Sequence, residues 1–136
     1  MSIEPATEPT DALRKMWDEA TQALSRKRGG PQLLAALGGG GAQDEALVRL
    51  IDARALWTTT EAGVIVGFAI WRRSAIEALY VEPDRRRHGV ARAMVVALRN
   101  LDQPPVDALA LPGDRAMKSL YESFGWKARL ITMHAE

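Results

Sequence analysis

The run Leu79-Tyr80-Val81-Glu82-Pro83-Asp84-Arg85-Arg86-Arg87-His88-Gly89-Val90-Ala91-Arg92-Ala93-Met94 narrows the choice of fold more than any other segment. A β-type apolar stretch ends at Pro83, a dense basic turn holding Gly89 follows, and an amphipathic helix then begins on small residues. Met94, Val95 and Leu98 set the inward face of that helix over Ala91–Leu101, and Gln103-Pro104-Pro105 breaks it. Val106 to Leu111 reads as the next strand. Strand, helix and strand in that order require a crossover connection, so the two strands are expected to run parallel.

The flanking segments complete an α/β reading. Ser2 to Ala6 fits a short edge strand. Thr10 fits the N-cap of a helix whose Leu13, Met16, Trp17, Ala20 and Leu24 fall on one face. Ser25-Arg26-Lys27-Arg28-Gly29-Gly30 ends it, with cations at the negative end of the dipole and glycines beyond. A short helical piece from Pro31 to Leu37, a breaker from Gly38 to Gly41 and a helix from about Asp44 to Arg54 follow. Leu56–Thr60, Val64–Trp71 and Ile76–Val81 read as strands, with a turn at Glu61-Ala62-Gly63 and Gly67 a candidate bulge. Pro112-Gly113 leads into a helix around Tyr121, and a last strand is expected from about Ala128 to Met133. The expectation is a mixed central sheet of about six strands flanked by helices. At 136 residues the chain suits one domain over 1–136, long enough for a real core and too short for two.

The basic turn carries the chemistry. A helix start offers unpaired N–H groups, and Gly89 permits both the close approach and the unusual φ that an anion nest needs. Ala91 keeps the first helical turn slim, while Arg86, Arg87 and Arg92 add charge that a backbone nest lacks. The plain alternative is a solvated arginine-rich helix start. Cations there oppose the macrodipole by about 0.3–1 kcal/mol each, so their crowding favours a phosphate-bearing ligand. His88 reads as a turn residue with a local contact rather than a base.

Arg86-x-x-Gly89-x-Ala91 after Leu79-x-Val81-x-Pro83 resembles the acyl-CoA-binding signature of the GNAT superfamily of N-acyltransferases. Asp114-Arg115-Ala116-Met117-Lys118-Ser119-Leu120-Tyr121-Glu122-Ser123-Phe124-Gly125-Trp126 is similar to that family's second signature, a tyrosine helix closing on Gly-aromatic. The resemblance is sharp from about Val64 to Trp126. It implies acetyl-CoA as cosubstrate and no metal, with Arg86, Arg87, His88, Gly89, Val90, Ala91 and Arg92 around the pyrophosphate. It also implies that the strand positions Leu79, Tyr80 and Val81 pair with the pantetheine arm, the Val81 N–H acting as an oxyanion donor. Tyr121 matches the family's general acid, since a phenol stays protonated at neutral pH and can donate to a leaving thiolate. Its other reading is simple core, because Met117, Leu120, Tyr121 and Phe124 form an apolar face.

Two departures stand out. Many members carry Asn where Asp114 stands; ionised Asp accepts a hydrogen bond but cannot donate one, and it also fits the N-cap of the tyrosine helix. The stretch Ala108-Leu109-Ala110-Leu111 lacks the glutamate that some members use as general base. Glu77 is the remaining candidate, placed by period-two alternation on the face of Leu79 and Val81. It could equally face water or hold an ion pair, with a water chain taking the proton.

Bulk properties set the remaining bounds. A formal net charge of +1 and the lack of aromatic interleaving speak against nucleic-acid binding. The chain has no cysteine, which excludes thiolate catalysis and zinc–thiolate sites, and its two histidines, His88 and His134, lie far apart. The polar start Met1-Ser2-Ile3-Glu4-Pro5 and the lack of a long apolar span predict a cytoplasmic protein without a membrane segment. Only ten residues follow Trp126, so a short C-terminal end is expected, with the acceptor side either open or completed by a second copy of the chain in a homodimer. The resemblance implies a small-molecule or protein amine as acceptor. Two function classes follow: an acetyl-CoA-dependent N-acetyltransferase, and a catalytically silent acyl-CoA-binding scaffold of the same fold.

Overall fold

The computed structural model describes residues 1–38, 43–133 and 135, with Gln43 described by its backbone alone. His134 and most of the glycine breaker lie outside the described residues. In chain order the elements are β1 (Ser2–Pro5), α1 (Asp11–Ser25), α2 (Gly30–Ala36), α3 (Gln43–Asp52), β2 (Leu56–Glu61), β3 (Val64–Arg72) and β4 (Ala75–Val81). They continue with a 3-10 turn (Pro83–Arg85), α4 (Val90–Arg99), β5 (Asp107–Ala108) and α5 (Arg115–Glu122).

The sheet runs in the order β1-β2-β3-β4-β5. Its first four strands are antiparallel neighbours, and β4 and β5 are parallel, as the crossover through α4 requires. One face packs on α1, α2 and α3 through Leu13, Met16, Trp17, Leu47, Leu50, Phe68 and Ile70. The other packs on α4 and α5 through Val66, Ile76, Val81, Met94, Leu98 and Tyr121. Thr10 caps α1, its side chain accepting the Leu13 N–H at 3.2 Å.

Three expectations are corrected. The strand expected over Val106–Leu111 shrinks to Asp107–Ala108, because the chain leaves β4 after two rungs. No strand forms over Ala128–Met133, where Leu130, Ile131 and Met133 are 90%, 75% and 87% exposed; β-formers without a neighbouring strand have no ladder to join. Among the described residues the sheet therefore has five strands. Gly67 is not itself the extra residue of a bulge: the register slips between Thr59 and Thr60, which makes Val66 the additional residue of β3. Gly67 answers a close approach, since a Cβ there would lie 2.6 Å from the Tyr80 carbonyl oxygen.

Candidate active site

The site begins where β4 and β5 part. β5 pairs with β4 only at Ala75↔Asp107 and Ile76↔Ala108, and the last bond across runs from the Leu109 N–H to the Ile76 oxygen at 2.9 Å. On its other edge β4 stays paired with β3 to Val81, and the Glu82 N–H donates to the Val66 oxygen at 2.9 Å. Antiparallel alternation then turns the N–H and C=O of Leu79 and Val81 toward the edge that β5 has left. The Val81 carbonyl accepts there from Arg86 Nε at 2.9 Å. The guanidinium also lies over the Tyr80 ring, 5.4 Å from its centroid. Burial pushes the Tyr80 phenol above its ordinary value, with Arg86 opposing.

The basic turn is wound by two left-handed residues, Arg87 at φ 66° and Gly89 at φ 79°. A Cβ on Gly89 would meet nothing within 4 Å, so conformation rather than crowding demands glycine, and the space over it is open. The first closed bond of α4 runs from the Ala93 N–H to the Gly89 oxygen at 3.0 Å, leaving the N–H groups of Val90, Ala91 and Arg92 as the helix's orphan donors. The arginines divide their work. Arg85 pairs with Glu61 at 2.9 Å, and Arg92 donates to Ser123 Oγ at 2.8 Å while lying over the Phe124 ring. Arg87 and His88 are exposed, and Arg87 alone of the run Arg85–Arg87 and Arg92 has no hydrogen-bond or ion-pair partner among the described residues.

A narrow cleft opens on the α1–α2 side of the sheet and reaches the gap between Leu79 and Ala110-Leu111. Glu77 lies in it, 9% exposed. Its expected face is overturned: Leu79 and Val81 pack with α4, whereas Glu77 is ion-paired with Arg72 on the opposite side. The reason is a bulge. Between Ile70↔Ala78 and Trp71↔Ile76 the register gives β4 one additional residue, Glu77, and so breaks the alternation on which the expectation rested. Arg72 is anchored in turn by the Ala36 oxygen of α2 at 3.0 Å.

At the far wall Asp114 caps α5, accepting the Met117 N–H at 3.1 Å, and forms an ion pair with Lys27 at 3.3 Å. The N-cap reading of Asp114 is thus the observed geometry. Two turns into α5, Tyr121 is buried, and its hydroxyl has no partner among the described residues. Burial, with the Asp114 charge adding to it, holds that phenol well above its ordinary range, so it stays protonated. Gly125, at φ 90°, turns the chain so that Trp126 packs on the Tyr121 ring with centroids 5.4 Å apart.

Sequence reasoning missed Arg72 and Lys27. A signal for Arg72 exists: the tight turn at Arg73-Ser74, with φ of 55° and 62°, folds β4 back so that Arg72 faces the start of β4. Lys27 had none, since its partner lies on a different element. Among the described residues no group of three or more His, Cys, Asp or Glu could hold a metal ion, and no helix is long and apolar enough to cross a membrane.

A parallel strand pair that opens beside a helix N-terminus is the ligand-binding architecture of an α/β domain. The sequence settles which one: residues 52–128, more than half of the chain, match the acetyltransferase (GNAT) domain, and the protein belongs to that family. Among the curated proteins none matches in sequence. Among solved structures, the fold is shared with the ribosomal-protein-alanine N-acetyltransferase of Brucella melitensis biovar Abortus 2308, at 18% identity and a TM-score of 0.60 over 98% of this chain and 100% of that one. The aminoglycoside N-acetyltransferase AAC(6')-Iy, solved with CoA, is similar over 99% of both chains at 13% identity and a TM-score of 0.59. The aminoglycoside 6'-N-acetyltransferase AAC(6')-IG of Acinetobacter haemolyticus is similar at 16% identity and a TM-score of 0.55, over 100% of this chain and 97% of that one.

Proposed function

We propose that this protein is an N-acetyltransferase, with residues 1–136 as one catalytic domain, moving the acetyl group of acetyl-CoA to a primary amine by direct attack on the thioester. The observation that carries the reading is the parting of β4 from β5, with a buried phenol without a partner among the described residues in the same core cluster as Leu79 and Val81. An unsatisfied buried hydroxyl is costly in a fold and is retained where it serves chemistry, which supports a role for Tyr121 once a ligand enters the gap.

The turn Arg86–Arg92 holds the pyrophosphate through its orphan N–H groups, with Arg87 the available cation. The free edge of β4 at Leu79, Tyr80 and Val81 pairs with the pantetheine amides, which requires Arg86 to yield the Val81 carbonyl. Asp114 fixes the start of the tyrosine helix. The neutral amine forms the new C–N bond and the C–S bond breaks. Val81 N–H donates to the acyl oxygen, Tyr121 gives its proton to the leaving sulfur, and Glu77, directly or through water, takes the proton that the amine loses. A cytoplasmic location and assembly as a homodimer belong to the same proposal. The acceptors named for structural neighbours, an aminoglycoside and a ribosomal protein, bracket the amine classes to be tried.

The second reading, an acyl-CoA-binding module without turnover, is favoured by one observation: the Glu77 carboxylate is already engaged by Arg72. Calorimetry with acetyl-CoA and a coupled thiol-release assay separate the two. The transferase reading expects binding, loss of binding in Gly89→Glu, and amine-dependent thiol release. Unchanged acetyl-CoA affinity in Gly89→Glu removes the assigned site; binding without turnover across amines and peptides leaves the scaffold.

A further inference from the structure

We propose that the acceptor is a lone primary amine carried on an apolar body, and that this cleft selects against polycationic amines; the inference rests on the transferase reading above. The walls on the α1–α2 side are the half-buried Leu24 of α1 and Leu33 and Leu34 of α2, backed by the buried Trp17 of α1 and Phe68 and Ile70 of β3. Such walls favour hydrocarbon over hydrated groups.

The charges inside the cleft are few and balanced. Its carboxylates are Glu77 and Asp114, and each already has a cation, Arg72 behind Glu77 and Lys27 beside Asp114. A second or third ammonium brought between these walls would leave water with no unmatched carboxylate to meet it. One amine fares differently. The bulge that turns Glu77 into the cleft sets its carboxylate two residues from Leu79, whose backbone lines the free edge of β4. An acceptor whose body lies against Leu24, Leu33 and Leu34 therefore presents its amine at the gap, beside the single carboxylate at the cleft's inner end. Asp114 offers no equivalent, because one of its oxygens caps α5 and the other holds Lys27.

The test is a thiol-release panel on the wild-type protein, with acetyl-CoA affinity measured in parallel. Ethylamine, butylamine and hexylamine form one arm, spermidine and kanamycin another, and tetrapeptides beginning with Leu or Ser a third. The expected result is kcat/KM rising about 4-fold per methylene from ethylamine to hexylamine, with both polycations far below hexylamine. Leu34→Glu is expected to flatten the alkylamine series and leave acetyl-CoA affinity unchanged; Leu33→Ala, which adds no charge, is expected to reduce its slope. Higher kcat/KM for spermidine or kanamycin than for hexylamine overturns the inference and leaves the transferase standing. A Leu-tetrapeptide turned over better than its Ser counterpart and than hexylamine supports the same chemistry, with a polypeptide N-terminus as its source. No acetyl-CoA binding at all overturns the transferase reading and this inference with it.

Discussion

Arg86 folds back onto its own strand and donates from Nε to the Val81 carbonyl oxygen at 2.9 Å. The bond occupies an acceptor on the stretch of the β4 edge that β5 leaves unpaired, and the guanidinium is further held over Tyr80. Arg87, next in sequence, is exposed and without a partner among the described residues. Adjacent arginines with similar sequence credentials thus have different jobs, and their variants should separate.

Arg87→Gly is expected to weaken acetyl-CoA binding by about 10-fold or more, the loss of one charge-assisted phosphate contact. Because Arg87 sits at φ 66°, glycine also relieves left-handed strain of roughly 1–2 kcal/mol, partly offset by its greater unfolded-state entropy. The variant should melt no lower than the parent. Arg86→Gln should show the reverse pattern, a lower Tm with a smaller loss of affinity. Equal affinity losses in calorimetry would show that both side chains reach the phosphates.

Tyr121→Phe separates catalysis from stability in opposite directions. The hydroxyl is buried and unpartnered, so its removal should raise stability by up to about 1 kcal/mol. Turnover should fall about 100-fold with acetyl-CoA affinity kept, as for a lost general acid. The phenol's folded value is raised above its ordinary 10.0, so it leaves stability independent of pH below 10 and lowers it as pH rises beyond, where the unfolded phenol ionises first. Melting curves between pH 8 and pH 11 should therefore fall less steeply at the alkaline end in the Phe variant. Turnover unaffected by the substitution would make Tyr121 a core residue only.

The sequence revealed what depends on periodicity and concealed what depends on its interruption. Leu13, Met16, Trp17 and Ala20 announce α1 because one helix face meets one core, and Met94, Val95 and Leu98 do the same for α4. The Gly89 turn was legible because only glycine readily takes φ 79° beside a crowd of arginines. Glu77 was misplaced because alternation carries through a bulge on paper and not in a sheet; nothing in Ala75-Ile76-Glu77-Ala78 marks the additional residue. The opening after Ile76 was equally silent, since Leu109-Ala110-Leu111 has the composition of a strand and leaves the ladder for tertiary reasons. Lys127 to Met133 has strand-forming residues and no strand, a reminder that β-propensity measures fit to neighbours.

Gly67 tests how closely β3 and β4 must approach. Its absent Cβ would stand 2.6 Å from the Tyr80 oxygen and 3.3 Å from Met94 Sδ, so the backbone of β4 has to move. Gly67→Ala should cost about 1–3 kcal/mol in urea unfolding, the usual penalty for overpacking. Displacing Tyr80 and Val81 should also raise KM for acetyl-CoA. A variant as stable as the parent would show that the two strands have slack.

The Arg72–Glu77 pair decides whether the cleft's carboxylate is there for structure alone. The side chains are 24% and 11% exposed, so neither charge is well solvated once its partner is gone. Removing one partner of such a pair should cost about 3–5 kcal/mol, and replacing both by apolar residues of similar volume should restore most of it. Arg72→Met is therefore expected to melt well below the parent, and Arg72→Met with Glu77→Met close to it. Activity should not follow stability. If Glu77 receives the amine's proton, the double variant recovers its fold without recovering turnover, and Glu77→Gln loses turnover most strongly where unprotonated amine is scarce, on the acid side of the pH profile. A double variant that regains both stability and turnover would assign the pair to holding β3, the bulge and α2 together, and would leave proton removal to water.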